Sequence, residues 1–240
     1  MTSGYNLQGL IRKNTINALT QFDKMGYYSE NIANWSTNGY KAVRFEEVMG
    51  ENGYSKAVIR TDHSGGSLQV TKAPLDVGID GPGFIPVTSE GGEIYYTRNG
   101  AFSLGKDGIL KNSNNDVVGA GIQIPADSVK VEIKGNGDVY TYKTIPGEGE
   151  FQGTIPLVIF QNPEGLKEVG NNRWEKTEIS GEETLVTDHN RICQYKVERS
   201  NVDIFTHVND IMRVNASLLA STTLMSAVDQ MYEKAINIKD

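Results

Sequence analysis

The chain has 240 residues, enough for one large domain or a modest domain with extensions. A net charge of -7 argues against nucleic acid, which wants a basic face, and the single cysteine, Cys193, excludes an intrachain disulfide. Hydrophobic residues at 38% with 26 glycines imply a limited core and many turns. No apolar run reaches the roughly 20 residues that span a bilayer, so the chain is expected not to cross a membrane. No charged segment followed by an apolar stretch and a cleavage site opens the sequence, so export, if it occurs, is expected without a cleavable signal.

Leu7 to Ile32 is the first expected helix. Ile11, Thr15, Ala18, Phe22, Met25, Ser29 and Ile32 follow in alternating steps of four and three, and Leu10 and Leu19 widen the stripe. Gly26 inside it costs about 1 kcal/mol relative to Ala. The helix is expected to stop near Asn34. Asn38-Gly39 is a strong turn signal, and Trp35 and Tyr40 should pack around the exit. The glycosylation patterns at Asn34 and Asn215 are read as coincidence, since one lies in mid-helix.

Residues 45–66 read as a linker with one possible strand, Ser55 to Arg60, and a flexible Ser64-Gly65-Gly66-Ser67 joint. Short strands then alternate with turn signals. The expected strands are Ser67–Thr71, Leu75–Ile79, Phe84–Thr88, Ile94–Arg98, Ala101–Leu104, Ile109–Lys111, Val117–Val118, Val129–Ile133, Val139–Tyr142, Gly153–Gln161 and Thr184–Tyr195. This spacing predicts an antiparallel β domain over residues 67–196.

The last stretch, Ser200 to Ile238, contains neither Pro nor Gly. Ser200, Asn201 and Asp203 can cap it, because short side-chain oxygens accept from unpaired first-turn amides. Ile204, Val208, Ile211, Asn215, Leu218, Thr222, Met225, Asp229, Tyr232 and Ile236 keep the heptad spacing of a seam that faces another helix. Polar Asn215, Thr222 and Asp229 recur every seventh position, which suits a crowded bundle more than an isolated pair. Each terminal helix is the natural cover for the other. The expected fold is therefore α+β: N- and C-terminal helices, 1–44 and 197–240, forming a coiled-coil or helical bundle, with the β domain inserted between them.

Chemistry is scarce. His63, His189 and His207 fit no metal-ligand spacing. Cys193 lies in an alternating strand and reads as a packed thiol. Neither a nucleophile elbow nor a phosphate loop is present. No catalytic, metal or cofactor site is assigned, and the chain reads as a non-enzyme.

Several stretches together resemble the bacterial flagellar rod and hook axial family. They are Asn31-Ile-Ala-Asn34 followed by Thr37-Asn-Gly-Tyr-Lys41, then Gly66-Ser-Leu68, Pro74-Leu-Asp-Val77, Gly81-Pro-Gly-Phe84, Tyr96-Thr-Arg-Asn-Gly-Ala-Phe102, Ser200-Asn-Val-Asp203 and Asp229-Gln-Met231. The short segment between Lys41 and Gly66 is closer to the proximal-rod type than to the distal-rod or hook types. The resemblance implies a structural subunit of the periplasmic rod of the flagellum basal body. Its partners would be copies of itself, neighbouring rod and hook proteins, and the type III export apparatus. The expected assembly interface is Ile11, Ala18, Phe22, Met25, Ile32 and Asn34 at one end and Val208, Ile211, Asn215, Leu218, Thr222, Met225 and Tyr232 at the other. The alternatives are a distal-rod or hook-type axial protein, a rod-associated cell-wall hydrolase, which would need an acid pair among the 30 Asp and Glu residues, and a monomeric β-rich binding module with a helical stalk.

Overall fold

The computed structural model describes residues 7–49, 55–187 and 190–237. His189 and Ile238, both named above, lie outside the described residues. The chain divides into two compact units: one drawn from the N-terminal stretch up to Ala33, from Val43 to Thr61 and from Asp203 onward, the other from Asn34 to Ala42 and Asp62 to Val202.

The first unit contains helix α1, Leu7–Ala33, and helix α2, Ile204–Asn237. At 1.5 Å per residue α2 is roughly 50 Å long. The segment expected as a linker contains an antiparallel hairpin, Val43–Met49 with Ser55–Thr61, whose second strand matches the possible strand at Ser55–Arg60. Val43 to Glu46 alternate apolar and polar, but Glu47 breaks the period, which hides the first strand in the sequence. Asn31 ties α1 to the hairpin. Its amide donates to the Val43 carbonyl and its Oδ1 accepts from the Val43 N–H, both at 2.8 Å, with the side chain fully buried. Tyr27 packs against Phe45 with ring centroids 5.9 Å apart.

The second unit is built of antiparallel strands. A seven-stranded sheet runs in the order Lys167–Gly170, Arg173–Glu175, Ile94–Thr97, Ile85–Thr88, Val117–Val118, Leu110–Lys111, Ser103–Leu104. A three-stranded sheet joins Lys130–Ile133, Asp138–Tyr142 and Glu150–Thr154. Three further pairs complete the unit: Val158–Phe160 with Glu183–Leu185, Ile192–Gln194 with Val77–Ile79, and Lys196–Glu198 with Leu68–Val70. Val77, Ile85, Val87, Leu110, Val118, Val139, Ile155 and Leu157 form the main core, fully withdrawn from solvent. Phe84, Tyr96, Val158, Phe160, Leu166 and Trp174 form a second, aromatic cluster.

Two expected strands are split. Gly153–Gln161 breaks at Pro156, which cannot donate to a ladder, and its halves join different sheets. Thr184–Tyr195 becomes Glu183–Leu185 and Ile192–Gln194, again in different sheets. The strands Lys167–Gly170, Arg173–Glu175 and Lys196–Glu198 add to those expected; each is three or four residues long with a single apolar residue, too short to show a period.

Candidate assembly surface

Asp203 starts α2. Its Oδ1 accepts from the Phe205 N–H at 3.1 Å and its Oδ2 from the Thr206 hydroxyl at 2.6 Å. These bonds, that from Thr206 foremost, hold its carboxyl below the usual range. One turn on, the inward face of α2 becomes clear. Ile204, His207, Ile211, Val214, Leu218, Ser221, Met225, Val228 and Tyr232 are buried or half-buried. Of the expected interface residues, Ile211, Leu218, Met225 and Tyr232 belong to this face. Val208, Asn215 and Thr222 point to solvent, and their places are taken by the residues one position earlier. The seam is heptad-spaced, but it is rotated by about one residue at every second position.

Helix α1 shows the same rotation. Ile11, Ala18, Met25 and Ile32 are half-buried as expected, whereas Thr15, Phe22 and Ser29 are exposed and Asn14, Gln21 and Tyr28 are turned inward. The inward faces meet. The Asn14 amide donates to the Ser221 carbonyl at 2.9 Å. At the other end, Asn31 Nδ2 lies 3.4 Å from His207 Nε2, and the Tyr28 and His207 rings are 5.5 Å apart. The helices therefore pack side by side and run antiparallel. Burial pushes the His207 imidazole pKa below its ordinary value.

This pairing leaves a second apolar stripe on each helix. On α1 it consists of Leu19 and Phe22, which is 54% exposed. On α2 it runs through Phe205, Val208, Met212 (64% exposed) and Leu219 (68% exposed). Successive members are three, four and seven residues apart, so they share one face of α2. By length and composition alone α2, from Ile204 to Lys234, is apolar enough to cross a membrane, although no uninterrupted apolar run in it reaches that length. Interspersed Ser, Thr and Asn kept each uninterrupted apolar run short.

Asn34 and the motif residues that follow it fall in the second unit. The Asn34 side chain accepts from the Thr37 hydroxyl at 3.1 Å, and the Asn34 carbonyl from the Thr37 N–H. Gly39 stands at φ +71°, and a Cβ there would lie 2.5 Å from the Asn99 backbone nitrogen. Lys41 reaches a buried carboxylate: its Nζ lies 2.6 Å from Glu198 Oε1 and 2.6 Å from the Ser64 carbonyl. Arg98 Nε donates to Glu198 Oε2 at 2.7 Å, and its remaining nitrogens donate to the carbonyls of Gly83 and Gly81. The Gly66 N–H also donates to Glu198 Oε1. Burial, and then the charge of Arg98, pulls the Lys41 pKa down against the opposing pull of Glu198.

This cluster gathers three stretches, 34–42, 62–67 and 196–202. The Asp62 N–H donates to the Ala42 carbonyl at 2.8 Å, Asn201 Oδ1 accepts from the Ala42 N–H at 2.7 Å, and Asn201 Nδ2 donates to the Asp62 carbonyl. The Arg199 guanidinium donates to the Ser36 carbonyl at 3.0 Å. Lys41 and Arg98 stand in motifs that the sequence displays plainly. Glu198 does not, and only the paired cations could have pointed to a missing carboxylate.

Among the described residues no group of His, Cys, Asp and Glu is placed to hold a metal ion, and Cys193 is a half-buried thiol.

Residues 78–141 match the family described as the flagellar hook protein FlgE/F/G D1 domain. A flagellar basal-body rod protein FlgG of Buchnera aphidicola subsp. Schizaphis graminum is 30% identical over 240 residues, covering 88% of this chain and 92% of its own. The FlgG of Bacillus subtilis is 26% identical over 257 residues, covering 93% and 95%. The flagellar hook protein FlgE of Brucella abortus biovar 1 is 31% identical over 139 residues, 52% of this chain and 35% of its own. Taken with the shared motifs, these likenesses show that the chain belongs to the flagellar basal-body rod protein family, which is structural and not enzymatic.

Proposed function

We propose that the chain assembles with copies of itself and with neighbouring rod and hook proteins into a helical tube. The tube would transmit torque between motor and hook and enclose the export channel. The observation that carries this reading is the outer apolar stripe on each terminal helix, left open after α1 and α2 have covered one another. Exposed apolar rows of this kind are costly in water and favour burial against a partner. A head-to-tail contact that repeats without closing generates a filament, not a ring. In the assembly α1 and α2 would form a coiled-coil bundle with helices of adjoining copies.

The same reading takes the chain to the periplasmic rod through the flagellar type III export apparatus. It also keeps α2 out of the bilayer. Two features support that placement: the seam is occupied by α1, with the Asn14–Ser221 hydrogen bond across it, and Asn215, Thr222 and Asp229 lie exposed along the helix. The short segment from Lys41 to Gly66 favours the proximal-rod type. The test is to express the chain with a tag in a flagellated host and purify basal bodies. Co-purification with rod neighbours and immunogold label confined to the rod are expected. Label on the membrane ring or only in the soluble fraction would contradict the proposal, and the position of label along the rod reads the proximal assignment directly.

A further inference from the structure

His63 stands where the aromatic cluster of the second unit meets its buried ions. Its ring is edge-on to Trp174 and Phe84, with centroids 4.9 and 5.6 Å away. Both ring nitrogens are buried and neither has a hydrogen-bond partner among the described residues. The residues on either side of it are anchored. Asp62 is bonded through its backbone to Ala42 and Asn201, and the Ser64 carbonyl accepts from Lys41 Nζ. Displacing the ring therefore pulls directly on bonds that gather 34–42, 62–67 and 196–202.

The charged groups that act on the ring are Lys41, Arg98, Asp62 and Glu164, the last from the Pro163–Gly165 turn. Beyond Lys41 and Arg98 lies Glu198, whose two oxygens already receive Lys41, Arg98 and the Gly66 N–H. Asp62 Oδ1 accepts from the Ser64 N–H at 3.0 Å. A third cation here would have to share carboxylates that are already engaged, inside an apolar seat.

We propose that His63 is an acid-operated latch. Neutral, it sits between Phe84 and Trp174 and keeps the three stretches gathered; protonated, it leaves that seat and they loosen. Burial, with Lys41 and Arg98 behind it, takes the imidazole pKa down from 6.5 to about 4. Because the folded value lies below the unfolded one, the contribution of His63 is complete above about pH 6.5, declines as pH falls, and is gone below about pH 4.

The test is hydrogen-exchange mass spectrometry on the full-length chain at pH 7 and pH 4.5, corrected for intrinsic exchange, beside His63→Phe. In the unmodified chain, protection of peptides covering 34–42 and 62–67 should fall about tenfold or more relative to peptides covering 130–142. In His63→Phe the relative protection should stay level. His63→Gln, neutral at both pH values, serves the same purpose should the Phe variant fail to fold. An NMR titration of the His63 ring in the unmodified chain should show a midpoint lowered to about 4. An equal loss of protection in the variants would place the response on the carboxylates and overturn the proposal. So would unchanged protection in the unmodified chain, or a ring titrating near 6.5.

Discussion

Lys41 and Glu198 are 157 positions apart in the chain, yet their charged groups meet at 2.6 Å with both side chains withdrawn from solvent. Arg98 approaches the other carboxylate oxygen at 2.7 Å, so one buried anion serves two buried cations. Pairs of this sort add little net stability over an apolar replacement, but removing one partner strands the rest. Glu198→Gln keeps the shape and removes the charge. We expect it to destabilise the second unit by about 3–5 kcal/mol, read by denaturant unfolding of the full-length chain. A loss under about 1 kcal/mol would mean that the two cations are compensated elsewhere.

Two glycines beside this cluster admit no side chain. Gly39 combines φ +71° with close backbone approach, and a Cβ on Gly66 would lie 1.9 Å from the Arg199 carbonyl oxygen. Gly39→Ala and Gly66→Ala should each cost about 2 kcal/mol or more, because backbone has to move. Gly26 lies inside α1, and a methyl group added there would meet nothing within 4 Å, so Gly26→Ala should stabilise α1 by about 1 kcal/mol. Thermal unfolding of the three variants gives the order directly.

The turns and most strands could be read from the sequence because Gly, Asn and Pro mark them locally. The helices could be read as helices, but the direction they face could not be read equally well in both. On α2 the observed seam places Val214 and Val228 where the expected one placed Asn215 and Asp229, so the number of apolar residues would have favoured the observed face. On α1 the observed seam takes Asn14 and Gln21 inward and leaves Phe22 outside, against hydrophobicity. A side chain whose partner lies outside the folded subunit gives no sign of that in its own sequence pattern. Glu198 and the first strand of the hairpin at 43–61 are not legible, for different reasons. Glu198 is defined by residues far along the chain, Lys41 and Arg98, whereas the strand Val43–Met49 loses its alternation at Glu47.

The corrected seam can be tested within the subunit. Val214 and Val228 are both 5% exposed, so Val214→Ala and Val228→Ala should each destabilise the first unit by about 2 kcal/mol. Asn215→Ala and Thr222→Ala, on the exposed side, should change stability by less than about 0.5 kcal/mol. Circular dichroism melts of the four variants separate the two faces. If the Asn and Thr variants were the costly pair, the expected seam would stand instead.

Residues 67–196 are proposed to fold as one β domain. The fragment lacks both Lys41 and Glu198, so Arg98 would lose its carboxylate. It should melt cooperatively but well below a fragment spanning 34–202. Equal melting temperatures would show that the ion cluster contributes nothing to the domain, and absence of a transition would show that 67–196 is not a folding unit.

The reading of α1 and α2 as assembly helices rests on their outward stripes, and one variant addresses both: Phe22→Asp combined with Leu219→Asp. Both residues are exposed in the subunit, so its helicity and melting should be preserved. Electron microscopy of basal bodies from cells making only this form should show no incorporation of the chain. Normal rods containing the doubly substituted chain would contradict assembly through these faces.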